Sequence, residues 1–193
     1  MVRDDCRRRG PAMLIIEVSN RPGPDRLWRD AEETKPMRDS TYDWRSELGL
    51  EPHGEGGYFR RIHTSSHTIP APRGERPLAS SIYYLLDESQ PSGLLHRNRS
   101  DILHFLLDGG PVEYVTVDPE GALTRTRLGD AALFLAVPGG WWKASRLLDG
   151  GRHALVAEVV TPGFDYADHE YATPAVLAEL PHIAEALKPF LRT

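Results

Sequence analysis

The sequence predicts an all-β sandwich or barrel with short flanking helices. Three observations carry this. From Gly57 to about residue 160 the chain is a series of short runs in which apolar and polar residues alternate or apolar residues dominate. Turn-forming clusters separate the runs: "DGGP", "DPEG", "GDA", "PGG", "DGG" and "TPG". Helical spacing takes over only near the C-terminus, in "TPAVLAELPHIAEALKPFLR", where Pro181 and Pro189 interrupt it.

Taken in order, residues 1–38 are rich in Arg, Asp, Glu, Pro and Gly without sustained periodicity, and are expected to form a poorly ordered arm. An alternative is that "MLIIEVS" adds an edge strand. Ser40 is placed to cap a short helix through "TYDWRSELGL" that ends at Gly49. Strands are expected at "YFRRIH" (58–63), "SSIYYLL" (80–86), "ILHFLL" (102–107), "VEYVTV" (112–117) and "LTRTRL" (123–128). "LFLAV" (133–137), "KASRLL" (143–148) and "HALVAEVV" (153–160) complete the set. "VEYVTV-DPEG-ALTRTRL" is a hairpin with Gly121 at a positive-φ position. The barrel is expected over 39–173, and residues 174–193 as one or two short helices packed on it or on a second copy.

Composition narrows the function classes. A 193-residue chain with 40% hydrophobic and 26% charged residues matches a soluble globular protein. Its net charge of −5 argues against a general nucleic-acid binder, which needs a basic face. Cys6 is the only cysteine, so neither an internal disulfide nor a thiolate zinc site is possible, and a reduced cytoplasmic setting fits. The apolar run "MLII" is far too short to span a bilayer.

Several residues carry possible chemistry. Glu158 is the only charge in "ALVAEVV" and shares a strand face with Val156 and Val160. A carboxylate among valines is costly unless paired, so Glu158 either lies on a solvent-facing edge or sits inside the barrel, suited to acid–base work. His96 and His104 fall on neighbouring β segments of "SGLLHRNRSDILHFLLDGG"; each is a hydrogen-bonded core histidine or a working one. In "VPGGWWKAS", Trp142 offers an aromatic wall and Lys143 a cation for an anionic or ring-bearing ligand, or else both are ordinary packing with the lysine reaching to water. "EPHGEGGYFRRIH" places Glu55 and Arg60 at a pocket rim; its glycines leave no register that aims His53, Glu55 and His63 at one metal.

Together these features resemble the cupin superfamily, whose first motif reads Gly-x5-His-x-His-x3/4-Glu-x6-Gly and whose second reads Gly-x5-Pro-x-Gly-x2-His-x3-Asn. Counting back from Gly109, the first motif falls on His96, Asn98 and Ile102; counting from "PGG", Lys143 takes the histidine position of the second and Leu147 that of the asparagine. One of four metal ligands survives. Isoleucine cannot ligate and an ammonium repels a divalent cation, so no metal and no other cofactor is expected. The blocks "EPHGEGGYFRR", "SSIYYLL", "HRNRSDILHFLLDGGPVEYV", "VPGGWWKAS" and "EVVTPGFDYADHE" are similar to cupin family 5, formerly a domain of unknown function. The resemblance implies a double-stranded β-helix (jelly-roll) barrel, often a homodimer, without an agreed reaction. "GLLHR" is also similar to the segment that carries the base of the metal-free nucleotide-sugar 3,5-epimerases, placing that role on His96.

The resulting expectation is a metal-independent enzyme that abstracts a proton next to a carbonyl of a small polar metabolite such as a sugar or sugar nucleotide, leading to epimerisation, isomerisation or dehydration. His96 is the expected base, Glu158 the acid or the group orienting His96, and Lys143 the oxyanion stabiliser. Arg60, Tyr83, Asn98, His104, Trp142 and Glu55 are the expected substrate contacts. The alternatives are a non-catalytic metabolite-binding barrel, and a metal-dependent oxygenase or isomerase using His96, His104 and Glu158. No nucleic-acid or membrane partner is expected.

Overall fold

Strand alternation divides the side chains of residues 43–192, the part that the computed structural model describes, among three packed layers. The strands are β1 (Glu51–Pro52), β2 (Tyr58–Thr64), β3 (Thr68–Ala71), β4 (Gly74–Pro77), β5 (Ser80–Asp87), β6 (Ser92–Asn98) and β7 (Asp101–Gly109). They continue as β8 (Val112–Val117), β9 (Leu123–Leu128), β10 (Phe134–Val137), β11 (Trp142–Leu147), β12 (His153–Thr161) and β13 (His169–Tyr171). Among the described residues they form a six-stranded sheet in the order β1-β2-β5-β12-β7-β10, a five-stranded sheet in the order β13-β6-β11-β8-β9, and a separate β3–β4 hairpin. The pairings are antiparallel. This is the expected jelly-roll sandwich.

Between the sheets lie Tyr84, Leu86, Leu106, Val112, Tyr114, Leu128, Ala154 and Val156. The opposite face of the five-stranded sheet presents Leu95, Val115, Val117, Trp142 and Ala144 to the C-terminal helices α2 (Pro174–Glu179) and α3 (Ala184–Leu187), which supply Leu177 and Leu187. On the six-stranded sheet, Tyr58, Leu85 and Leu155 pack with Trp44 of α1 (Trp44–Glu47) and with Leu50. No helix among the described residues is long and apolar enough to cross a membrane.

Several expectations about elements need correction. The cap of α1 is Asp43, whose Oδ1 accepts from the amides of Arg45 at 3.0 Å and Ser46 at 3.2 Å; Ser40, like the whole arm of residues 1–38, lies outside the described residues. The β3–β4 hairpin escaped the sequence reading because Pro70, Pro72 and Pro77 mask any alternation. His96 and His104 lie on consecutive strands, yet β6 and β7 belong to opposite sheets, so the two residues are not strand neighbours. The hairpin of β8 and β9 forms as expected, with Gly121 at φ +86° and its amide bonded to the Asp118 carbonyl at 3.0 Å.

Candidate functional site

Glu55, His96, Asn98, Lys143 and Glu158, all buried, line one small half-open cavity. They form two clusters on its wall.

The first cluster centres on Lys143. Neighbouring strand residues point to opposite faces, so Trp142 enters the helix-covered layer while Lys143 enters the barrel. Lys143 is only 5% exposed. Its Nζ lies 2.8 Å from His104 Nε2 and 3.4 Å from both carboxylate oxygens of Glu158. The Leu135 carbonyl lies 3.3 Å from His104 Nδ1 and can only accept, so Nδ1 carries the ring proton and Nε2 accepts from the ammonium. Glu158 sits opposite His104 in the β12–β7 register, with its Oε1 3.5 Å from His104 Nε2. Burial, reinforced by the Lys143 charge, holds the His104 imidazole well below the usual histidine range.

Glu55 anchors the second. It sits in the loop between β1 and β2, where its amide donates to His53 Nδ1 at 3.2 Å and its carbonyl accepts from the Leu94 amide of β6 at 2.6 Å. These contacts carry the carboxylate to the cavity wall. Its Oε2 lies 3.1 Å from His96 Nε2, and its Oε1 accepts from His169 Nε2 at 2.7 Å. His169 arrives because β13 pairs with β6, placing it opposite Asn98; the His96 and His169 rings stack with centroids 5.3 Å apart. Burial opposes ionisation of Glu55, but the charges and hydrogen bonds of His96, His169 and His53, with Lys143, outweigh it and hold the carboxyl well below its usual range. Burial pushes the His96 imidazole down to about 4 despite the pull of Glu55.

Two neutral buried histidines give acid sensitivity a direction. His96 and His104 take up protons near pH 6.5 when unfolded but resist them when folded, so the unfolded state binds more protons below that pH. Stability is therefore expected to fall as pH drops from about 6.5 towards about 4, by up to roughly 1.4 kcal/mol per pH unit for each histidine. Urea melts across this window check it. A flat profile would mean that both rings take up protons in the fold as readily as in the unfolded chain, and His104→Gln should remove one histidine's share of the slope.

Of the residues expected at the site, Glu55, His96, Asn98, Lys143 and Glu158 line the cavity, and His104 stands behind Lys143 with no exposure. Arg60, Tyr83 and Trp142 are corrections. Arg60 lies on the face of β2 away from the cavity and its Nη1 donates to the Leu48 carbonyl at 2.7 Å; its neighbour Arg61 lines the cavity instead. Tyr83 packs in the layer under α1, while Ile82 faces the cavity. Trp142 is buried beneath the C-terminal helices with the Arg97 guanidinium 4.5 Å above its ring. The expected His96–Glu158 pairing gives way to His96–Glu55 and Glu158–Lys143 pairs.

His53, Arg61 and His169 were not singled out as site residues, and His169 had only the polar run "DYADHE" after the last long strand as a signal. His63 is exposed on β2, whereas His53 and Glu55 line the cavity. At the superfamily's metal positions the residues do not suit a divalent ion: Ile102 is apolar and the Lys143 ammonium donates to His104.

Comparisons with known proteins agree with this architecture. The family model described as Cupin superfamily (DUF985) matches residues 43–172. An uncharacterized protein of Saccharomyces cerevisiae is 36% identical over 150 residues, covering 67% of this chain and 71% of its own. Among solved structures, a hypothetical protein from Leishmania major is 31% identical with a TM-score of 0.72, covering 78% of this chain and 97% of that one. A protein from Shewanella oneidensis is 31% identical with a TM-score of 0.70, covering 78% and 96%.

Proposed function

Because the chain belongs to the DUF985 family of the cupin superfamily, we propose that it is an enzyme moving a proton at a carbon next to a carbonyl of a small polar metabolite, with Glu158 and Lys143 as the working pair. One observation carries the reading: a buried ammonium on the cavity wall, 2.8 Å from His104 and 3.4 Å from both oxygens of Glu158. The contact to His104 is a full hydrogen bond that aims the ammonium. Those to Glu158 are longer than the usual 2.7–3.2 Å range, so both groups keep capacity for shorter bonds to a ligand.

In this reading Glu158 removes the α-proton, the C–H electron pair moves into an enolate, and the Lys143 ammonium stabilises its oxygen. Return of the proton to carbon gives epimerisation or isomerisation; loss of a β-hydroxyl as water gives dehydration. A small keto sugar or related polar carbonyl compound is the substrate class proposed, its carbonyl towards Lys143 and its carbon chain along the apolar wall of Phe59, Ile82 and Val160. His96 loses the base role expected for it, because the Glu55 carboxylate stands 3.1 Å in front of its Nε2 and blocks the approach of a substrate C–H. A second reading, a non-catalytic metabolite-binding barrel, draws support from the same obstruction of His96 Nε2 by Glu55.

Deuterium uptake from D₂O into a panel of keto sugars, keto acids and nucleotide sugars, followed by NMR, separates the two. Wild type is expected to exchange one α-position, and Glu158→Gln to slow that exchange by about 10²–10⁴-fold with circular dichroism unchanged. Exchange that survives in Glu158→Gln would remove Glu158 from the mechanism. Saturable binding without exchange would establish the binding barrel.

A further inference from the structure

The donor–acceptor pattern around Glu55 is incomplete. The Leu94 carbonyl can only accept, so the proton on His96 sits on Nδ1, and the neutral ring presents a bare Nε2 lone pair 3.1 Å from Glu55 Oε2. Two acceptors thus face each other inside a buried site, where an uncompensated clash of this kind is costly. A positive centre is missing between them. A histidine whose second ring nitrogen donates to a backbone carbonyl, leaving Nε2 free, is also how metal-binding imidazoles are oriented.

The surroundings supply the rest of a coordination shell. His96, His169 and Glu55 each bring a ligand atom within 4.8 Å of the others. To take a metal on bonds of about 2.0–2.2 Å, His169 gives up the Nε2 proton that it now donates to Glu55, and that 2.7 Å contact opens to about 3 Å or more. His53 is not a fourth ligand here, since its Nδ1 accepts from the Glu55 amide; it steadies the loop that presents the carboxylate. Asn98, two residues along β6 from His96, is buried with Nδ2 lacking any partner, a donor left for an oxygen ligand that completes the shell. We propose that Glu55, His96 and His169 bind a divalent first-row transition metal, with its remaining positions open to the cavity. Two imidazoles and one carboxylate suit Zn²⁺, Fe²⁺ or Mn²⁺.

This site shares His96 with the superfamily pattern named above, but draws Glu55 from the β1–β2 loop and His169 from β13 in place of Asn98, Ile102 and Lys143. None of its ligands belongs to the Glu158–Lys143 pair, so it stands apart from the proposed proton-transfer reading. That reading fails if exchange survives in Glu158→Gln; this one is judged by metal content.

The test uses the full chain, stripped with chelator and dialysed against Zn²⁺, Mn²⁺, Co²⁺ or, without oxygen, Fe²⁺. Bound metal is then quantified by plasma emission and Co²⁺ is followed by its visible spectrum. About one equivalent per chain is expected, with intense Co²⁺ bands and a raised melting temperature. Glu55→Gln and His169→Ala should each weaken binding by more than the ~10–100-fold typical of losing an outer-shell partner. Glu158→Gln should keep it. If Glu55→Gln does not fold, His169→Ala on the edge strand β13 decides alone. No binding by the wild type with metal at about 100-fold excess over protein, or binding unchanged in the folded variants, would overturn the proposal and leave a proton as the occupant of the gap.

Discussion

Lys143→Met is expected to lower the free energy of unfolding by roughly 3–5 kcal/mol, the usual result of removing one partner from a buried ion pair. Methionine keeps the length of the side chain, so little volume is lost. What disappears is the only ammonium within bonding distance of Glu158 among the described residues, and Glu158 is just 7% exposed. The carboxylate must then stay charged without compensation or take up a proton, and His104 Nε2 loses its donor at the same time.

A double variant, Lys143→Met with Glu158→Gln, separates this account from simple misfit. With the charge gone from both partners, much of the loss should return, giving a coupling energy of about 1–3 kcal/mol in a double-mutant cycle followed by urea denaturation. A single-variant loss under about 1 kcal/mol would mean that water reaches Glu158 freely, and the buried pair would then be no part of the stability.

The jelly roll was legible because turn chemistry and alternation are local. "DPEG" and "PGG" mark reversals whatever they are packed against, and the long strands from Tyr58 to Thr161 followed from them. That Glu158 shares a strand face with Val156 was legible for the same reason, but whether that face met solvent or the interior was not. Strand phase was less accessible. Arg60, Tyr83 and Trp142 were expected at the site, and each lies one residue from a side chain that does face the cavity: Arg61, Ile82 and Lys143. Both faces of each sheet are covered in places, one by the opposite sheet and the other by α1 or the C-terminal helices, so apolar residues occur on both sides and the alternation loses its sign. Trp142 and Lys143 are adjacent on β11, so only one of them can face the cavity.

The cluster around Glu55 was hidden for a different reason. Glu55, His96 and His169 lie far apart in sequence, and what joins them is the β13–β6 pairing together with a glycine-rich loop laid across β6. "HGEGG" carries no period, so nothing in it shows where the glutamate points.

That loop hinges on Gly56, and Gly56→Ala is expected to cost about 3 kcal/mol or more. Gly56 has φ +92°, a conformation that costs an L-residue on the order of 1–3 kcal/mol by itself. In addition, a Cβ here would overlap the Ser92 carbonyl oxygen of β6, and that atom belongs to the sheet backbone and cannot swing aside as a flexible side chain would. The loop must therefore lift. Lifting it breaks the 2.6 Å bond from the Leu94 amide to the Glu55 carbonyl and withdraws the carboxylate from His96 and His169. Gly140→Ala is the matching control: its φ is +86°, but a Cβ there meets nothing within 4 Å, so only the conformational cost applies. The difference between the two variants in urea denaturation measures how tightly the loop is pressed onto β6. If they lose the same stability, the loop has room to move, and the placement of Glu55 does not depend on a glycine at this crossing.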